Sequence, residues 1–260
     1  MTHIRPTLSA IVITRNEAHN LHDCLQSMHG WVDEIIVVDS QSTDATVAIA
    51  QQHGAKVAQP ADWPGFGLQK NRALDLATCD WVFSIDADER VTPELAAEII
   101  QVLKTGNAQT AYKVPRLSSY CGKFIHHAGW QPDYVLRLFK RGTAKFSDDL
   151  VHERVVSEQK VIALQNHLLH YSYLNFSQVL SKVDAYSSAS AQQAYARGKR
   201  SSVAGALGHG AWAFFRTYVI RRGFLDGSHG LALSISNAET SYYKYLKIWH
   251  MTLKAIKKQN

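Results

Sequence analysis

The chain has 260 residues, 46% of them hydrophobic, and a formal net charge of +6. That much apolar material excludes a disordered chain and is enough for one large domain, or a domain with an appendage. Three scattered cysteines, Cys24, Cys79 and Cys121, exclude a disulfide framework and a structural zinc module and fit a reducing cytoplasm, while the charge favours an anionic partner: nucleotide, nucleic acid or acidic membrane surface.

From Leu8 to Asp88 short β-branched runs alternate with amphipathic stretches, the pattern of βαβ units around a parallel sheet. Strands are predicted at Leu8 to Ile13, Glu34 to Val38, Ala55 to Ala58 and Trp81 to Ile85. Helices are predicted at Ala18 to Met28, Asp44 to His53 and Gly67 to Ala77, with Leu21, Leu25 and Met28 as one buried stripe. The first apolar run is too short for a signal-peptide core, and no segment reads as a membrane span. Thr92 caps a helix that opens on Pro93 and Glu94. Beyond it, Ala111 to Pro115, Tyr134 to Lys140 and Val155 to Ala163 read as strands of a mixed sheet. From about Phe176 the texture is helical, which divides the chain into an α/β domain at 1–175 and a basic-aromatic helical extension at 176–260.

The strand Trp81 to Ile85 delivers two carboxylates, Asp86 and Asp88, to its carboxyl end. A hard cation such as Mg²⁺ or Mn²⁺ takes one or two carboxylates and completes its shell with phosphate and water, so the pair suggests a metal-bound diphosphate. For Asp-x-Asp alone a solvated acidic loop is the commoner reading, and context decides. Ligands of open α/β sheets bind at the carboxyl ends of strands, so Thr14 to Glu17, Asp39 to Asp44 and Asp86 to Glu89 should converge on one crevice. Asp39 suits a nucleobase edge or ribose hydroxyl, or else a turn; Asp44 suits a helix cap. Lys70 and Arg72 fall in the first turns of the predicted third helix, where cations oppose the macrodipole and point to a bound anion.

Four motifs in order, Ile11 to Glu17, Val37 to Ser40 with Asp44 and Thr46, Gln69 to Ala73, and Asp86 to Glu89, resemble the family-two glycosyltransferases of the GT-A fold. Val151-His152-Glu153, His170 to Tyr173 and Phe224 to Gly227 resemble its bacterial branch that glycosylates the lipopolysaccharide inner core, in particular β-1,4-glucosyltransferases acting on a core heptose. The resemblance implies an α/β fold with a mostly parallel or mixed nucleotide-binding sheet flanked by helices and a C-terminal helical extension. It also implies an inverting transfer from a UDP-sugar, UDP-glucose above all. Thr14, Arg15, Glu17, Asp39, Lys70 and Asp86 would hold the nucleotide sugar. Asp88, with Asp86, would hold Mg²⁺ or Mn²⁺.

Inversion needs one base on the acceptor side. Glu153 is the resemblance's choice, with Asp148 and Asp149 as rivals, since the usual Glu-Asp form of that motif is absent. His152 and His170 are each a metal ligand, an orienting group or a structural histidine. His126, His127 and His167 carry less.

In the extension, Leu207, Ala211, Trp212, Phe214, Phe215, Tyr218 and Val219 share one helical face, with Arg216 and Arg221 off it. Such a helix lies in a membrane interface or packs on the catalytic domain. A lipopolysaccharide acceptor would place the protein in the cytoplasm, peripheral on the inner membrane and in contact with anionic lipid, with no nucleic acid as partner. Two other classes compete: a sugar nucleotidyltransferase, against which the absence of a Gly-rich phosphate loop after the first strand argues, and a non-enzymatic basic nucleic-acid or membrane-binding module, which leaves the polar strand tips unexplained.

Overall fold

The computed structural model describes residues 5–105, 107, 109–148 and 154–257. In chain order these form β1 (Leu8–Thr14), α1 (Ala18–Gln26), β2 (Glu34–Asp39), α2 (Thr46–Gln52), β3 (Lys56–Ala58), α3 (Phe66–Asp75), β4 (Trp81–Ser84), β5 (Glu89–Val91), α4 (Pro93–Thr105), β6 (Thr110–Tyr120), β7 (Lys123–Phe124), β8 (Tyr134–Lys140), β9 (Ala144–Phe146), β10 (Val155–Ser157), β11 (Lys160–Ala163), β12 (Leu168–Tyr173), α5 (Phe176–Ala196), α6 (Val203–Phe215) and α7 (Gly227–Lys257). A π turn (Arg216–Ile220) and a 3-10 turn (Gly223–Asp226) join α6 to α7.

They divide into two compact units. The first holds the described residues up to Arg116 and those from Asp133 to His170; the second holds Leu117 to Pro132 and everything described from Tyr171 on. The aromatic and Gly-rich stretch around Tyr120 to Gly129, which a division at residue 175 leaves in the first domain, belongs to the second unit.

In the first unit β3, β2, β1 and β4 run parallel, and β8 and β6 continue the sheet antiparallel, with β11 parallel on β6. β1 is central and buried on both faces, which is why it reads as a continuous apolar run instead of an alternating one. Leu8, Ala10 and Val12 point to one side, into a core with Leu21, Cys24, Leu25, Phe83, Leu95 and Ile99. Ile11 points to the other side, with Ile36, Val38, Ala73, Val82 and Phe139.

Three local expectations are corrected. The predicted strand at Val155 to Ala163 is two: β10 pairs with β9 while β11 crosses to β6. β6 continues through Pro115 to Tyr120; its neighbour β11 ends opposite Lys113, so the missing proline donor falls beyond that ladder. α3 runs Phe66–Asp75, so Arg72 lies in its last turn, where a cation favours the macrodipole; there it pairs with Asp62 at 2.8 Å. Helix position and the Asp62 pair therefore account for Arg72 without a bound anion.

In the second unit the end of β6 pairs with β7, and α6 and α5 pack along α7. Tyr120, Trp130 and Tyr173 form an aromatic cluster beside Val179 and Leu233. The buried carboxylate of Asp226 accepts from the His126 and His127 amides at 3.1 and 2.9 Å, tying the 117–132 segment to the 3-10 turn.

Candidate functional site

Parallel register brings the ends of β1 and β2 level, with Thr14 opposite Asp39. The Thr14 hydroxyl donates to Asp39 Oδ1 at 3.0 Å, and the Ser42 amide donates to Asp39 Oδ2 at 2.9 Å. Asp39 is fully buried. Its carboxylate thus fastens the β1 tip and shapes the turn after β2. Asn16, in the left-handed region at φ 55°, accepts from the Thr43 amide at 2.8 Å. Asp44 accepts from the amides of Thr46 at 3.0 Å and Ala18 at 3.2 Å, so it caps the starts of two helices, α2 and α1. These bonds hold the two strand tips as one rigid rim.

Beside that rim lies a cleft of about 550 Å³, walled by Thr14, Arg15, Glu17, Lys70, Asp86 and Asp88, with Ile13, Ala87, His170, Trp63 and Phe66 completing it. Six of the sequence-predicted site residues therefore share one wall. Asp39 stands behind Thr14 and off that wall. Glu153, Asp149 and His152 lie outside the described residues; Asp148 is exposed.

The two aspartates that follow β4 meet different surroundings. Asp86 Oδ1 pairs with the buried Lys70 ammonium at 2.9 Å, and Oδ2 accepts from Arg137 Nη2 at 2.6 Å. Burial works against ionisation of Asp86, but Arg137 and Lys70 outweigh it and hold the carboxyl well below the usual range. The same Arg137 nitrogen reaches Glu89 Oε1 at 2.5 Å, and Glu89 Oε2 accepts from the Asp86 amide at 2.9 Å. Burial raises the Glu89 carboxyl. Asp88 faces the other way: its Oδ2 is 3.3 Å from His170 Nε2. His170 is placed there by the pairing of β12 with β5, which sets it opposite Glu89. Half-buried Glu17 is raised by burial and by the nearby Asp88 charge, against the lowering bond from Asn20.

Arg137 escaped the sequence reading, although an arginine inside the apolar run Tyr134 to Phe139 was a usable signal. A cation in a buried strand requires carboxylate partners. Trp63 and Phe66, exposed and T-shaped at 5.0 Å on the cleft rim, had no comparable signal.

Asp88 and His170 on the wall offer a carboxylate and an imidazole to a divalent cation, with open space for a diphosphate to supply the remaining oxygens; among the described residues no cluster of three or more His, Cys, Asp or Glu that could hold a metal exists. Asp88 with His170 fits such an ion. Asp86 fits less well, because each of its oxygens already holds a cation.

Residues 9–160 match the family described as Glycosyl transferase family 2. An uncharacterized glycosyltransferase of Rickettsia felis is 33% identical over 95% of this chain and 91% of its own. The lipopolysaccharide core biosynthesis glycosyltransferase LpsC of Rhizobium meliloti is 33% identical over 74% of this chain and 73% of its own. Among solved structures, glucosyl-3-phosphoglycerate synthase of Mycobacterium tuberculosis, crystallised with Mn²⁺ and UDP, is similar at 28% identity and a TM-score of 0.38, over 44% of each chain. Less than half of that synthase is therefore spanned.

Proposed function

The chain belongs to glycosyl transferase family 2 and is a glycosyltransferase of α/β, GT-A fold, and on that premise we propose that it moves glucose from UDP-glucose, with inversion, onto a heptose of the lipopolysaccharide inner core. The observation that carries the donor side is the division of labour between Asp86 and Asp88. Asp86 pairs with Lys70 and Arg137 and fixes the cleft wall; Asp88 and His170 pair with each other and line the cleft. Lipopolysaccharide as acceptor draws support from the likeness to LpsC; with that acceptor the enzyme would work at the cytoplasmic face of the inner membrane.

In this reading Asp88 and His170 would hold Mg²⁺ or Mn²⁺, which neutralises the charge that grows on the departing diphosphate. Arg15 and Lys70 add positive potential to the same wall, Thr14 and Glu17 position the nucleoside, and Asp39 supports them from behind. The acceptor oxygen attacks the anomeric carbon as the bond to the diphosphate breaks, and the acceptor proton passes to a carboxylate, Glu153 in this proposal. Neither the nucleotidyltransferase nor the non-enzymatic module is compatible with membership of this family.

The test is a panel of nucleotide sugars offered with truncated lipopolysaccharide acceptors, with and without Mn²⁺ or Mg²⁺, read by mass spectrometry. A mass gain of one hexose with UDP-glucose alone is expected; transfer of another sugar, or onto a heptose-free acceptor, overturns the donor or the acceptor assignment. Glu153→Gln should keep UDP binding and lose turnover, and near-normal turnover moves the base elsewhere.

A further inference from the structure

Helix α6 packs in the reverse of the usual sense. Its small residues Ala206, Gly210 and Ala213, with Thr217 of the π turn, are buried, whereas Leu207, Trp212, Phe215, Val219 and Ile220 are between 44 and 58% exposed. A core-facing helix buries its large apolar stripe. Here the contact with α7 excludes that: a Cβ at Gly210 would stand 3.1 Å from the Tyr242 Cβ, and His209 stacks on Tyr245 at 3.6 Å. Phe224 and Leu225 of the 3-10 turn extend the exposed apolar surface. Trp212 and Phe215 lean together at 5.9 Å, so the surface is contiguous there.

Charge indicates what covers it. Residues 185–225 contain no Asp or Glu and six cations, Arg197, Lys199, Arg200, Arg216, Arg221 and Arg222. A second copy of the chain on this face would bring the exposed Arg216 and Arg222 of one copy against those of the other; an anionic bilayer would neutralise them. Thirteen residues of α6 rise only ~20 Å, short of the ~30 Å hydrocarbon core. Among the described residues no helix is long and apolar enough to cross a membrane. A segment of this kind lies in the interface.

We propose that the outward face of α6, the π turn and the 3-10 turn docks on an anionic bilayer, with Trp212, Phe215 and Val219 in the acyl boundary and Arg216 and Arg222 among the headgroups. This deepens the lipid-borne-acceptor reading and rests on it for purpose, while its own support is the exposed surface.

The experiment is flotation of the full chain with phosphatidylglycerol–phosphatidylcholine vesicles and with phosphatidylcholine alone, across a salt series. Binding to the anionic vesicles that weakens as salt rises is expected, and the double variants W212S/F215S and R216Q/R222Q should each bind at least about tenfold more weakly with unchanged melting. Arg221 is spared because its side chain lies over Gly129. Wild-type protein that stays with the unbound fraction, or variants that float like wild type, overturn the proposal. So does a lipid-free dimer, seen by light scattering, that W212S/F215S converts to monomer, since a second copy would then be the occupant. A delipidated soluble acceptor separates the two readings: both variants should glycosylate it at the wild-type rate, and a wild type inert toward every acceptor fails the functional proposal while leaving the vesicle result intact.

Discussion

Asp86 and Asp88 are two residues apart and of one chemical type, yet one is spent on internal cations and the other faces the cleft. For Asp88→Ala, a fall in turnover of at least about 10²-fold with an unchanged melting temperature is expected, because transition-state charge loses its stabiliser and no core contact is cut. Transfer assays beside thermal melts decide it. Arg137→Met behaves differently. Among the described residues it leaves Asp86 to Lys70 alone and the buried Glu89 with only Arg116, at 3.6 Å, as a cation, and such removal of one buried partner costs about 3–5 kcal/mol, measurable by urea unfolding. A third residue carries a pH signature. Burial works against ionisation of Glu34, but Lys56, Ser9 and Thr78 outweigh it and bring the carboxyl from 4.5 to about 2. The unfolded chain therefore takes up this proton at higher pH than the native state does, so ionised Glu34 stabilises the fold above pH 4.5, and that contribution disappears as pH falls from 4.5 to about 2. The stability gap between wild type and Glu34→Gln should be constant near neutrality and close across that window. The acidic tips were legible in the sequence because short polar runs after apolar strands are local signals. Arg137 and Glu89 went unread as partners because they lie far apart along the chain and meet only through the sheet.

At the scale of elements, two glycines separate packing from propensity. A Cβ on Gly230 in α7 would fall 1.8 Å from the Gly223 carbonyl oxygen, so G230A must push the 3-10 turn off the helix. A Tm loss corresponding to about 1–3 kcal/mol or more follows from such overpacking. A Cβ on Gly208 in α6 would meet nothing within 4 Å; G208A should therefore raise stability by up to ~1 kcal/mol through helix propensity. Calorimetry of the pair checks both signs. Element type was readable from local pattern, since α1 shows a helical stripe and β1 and β2 are short continuous apolar runs that end in polar residues. The split of β10 from β11 was not, because two short strands joined at Glu158-Gln159 look like one strand until their partners are known.

For the whole molecule, binding and stability are linked. If Asp88 and His170 hold the metal with the nucleotide, UDP plus Mn²⁺ at about a hundredfold over Kd should stabilise the protein by ~2.7 kcal/mol, and Asp88→Ala should abolish that gain. A thermal-shift titration reads it directly; equal gains in wild type and variant move the metal elsewhere. The sequence by itself determined the α/β succession, the polar strand tips and the surplus of cations near the carboxyl end, because periodicity, caps and charge are properties of neighbours in the chain. Tertiary structure alone decided which carboxylate keeps a free face, that His170 stands beside Asp88, and that α6 turns its small residues inward. Those outcomes depend on strand register and on how closely two backbones can approach, which are set between segments distant in sequence.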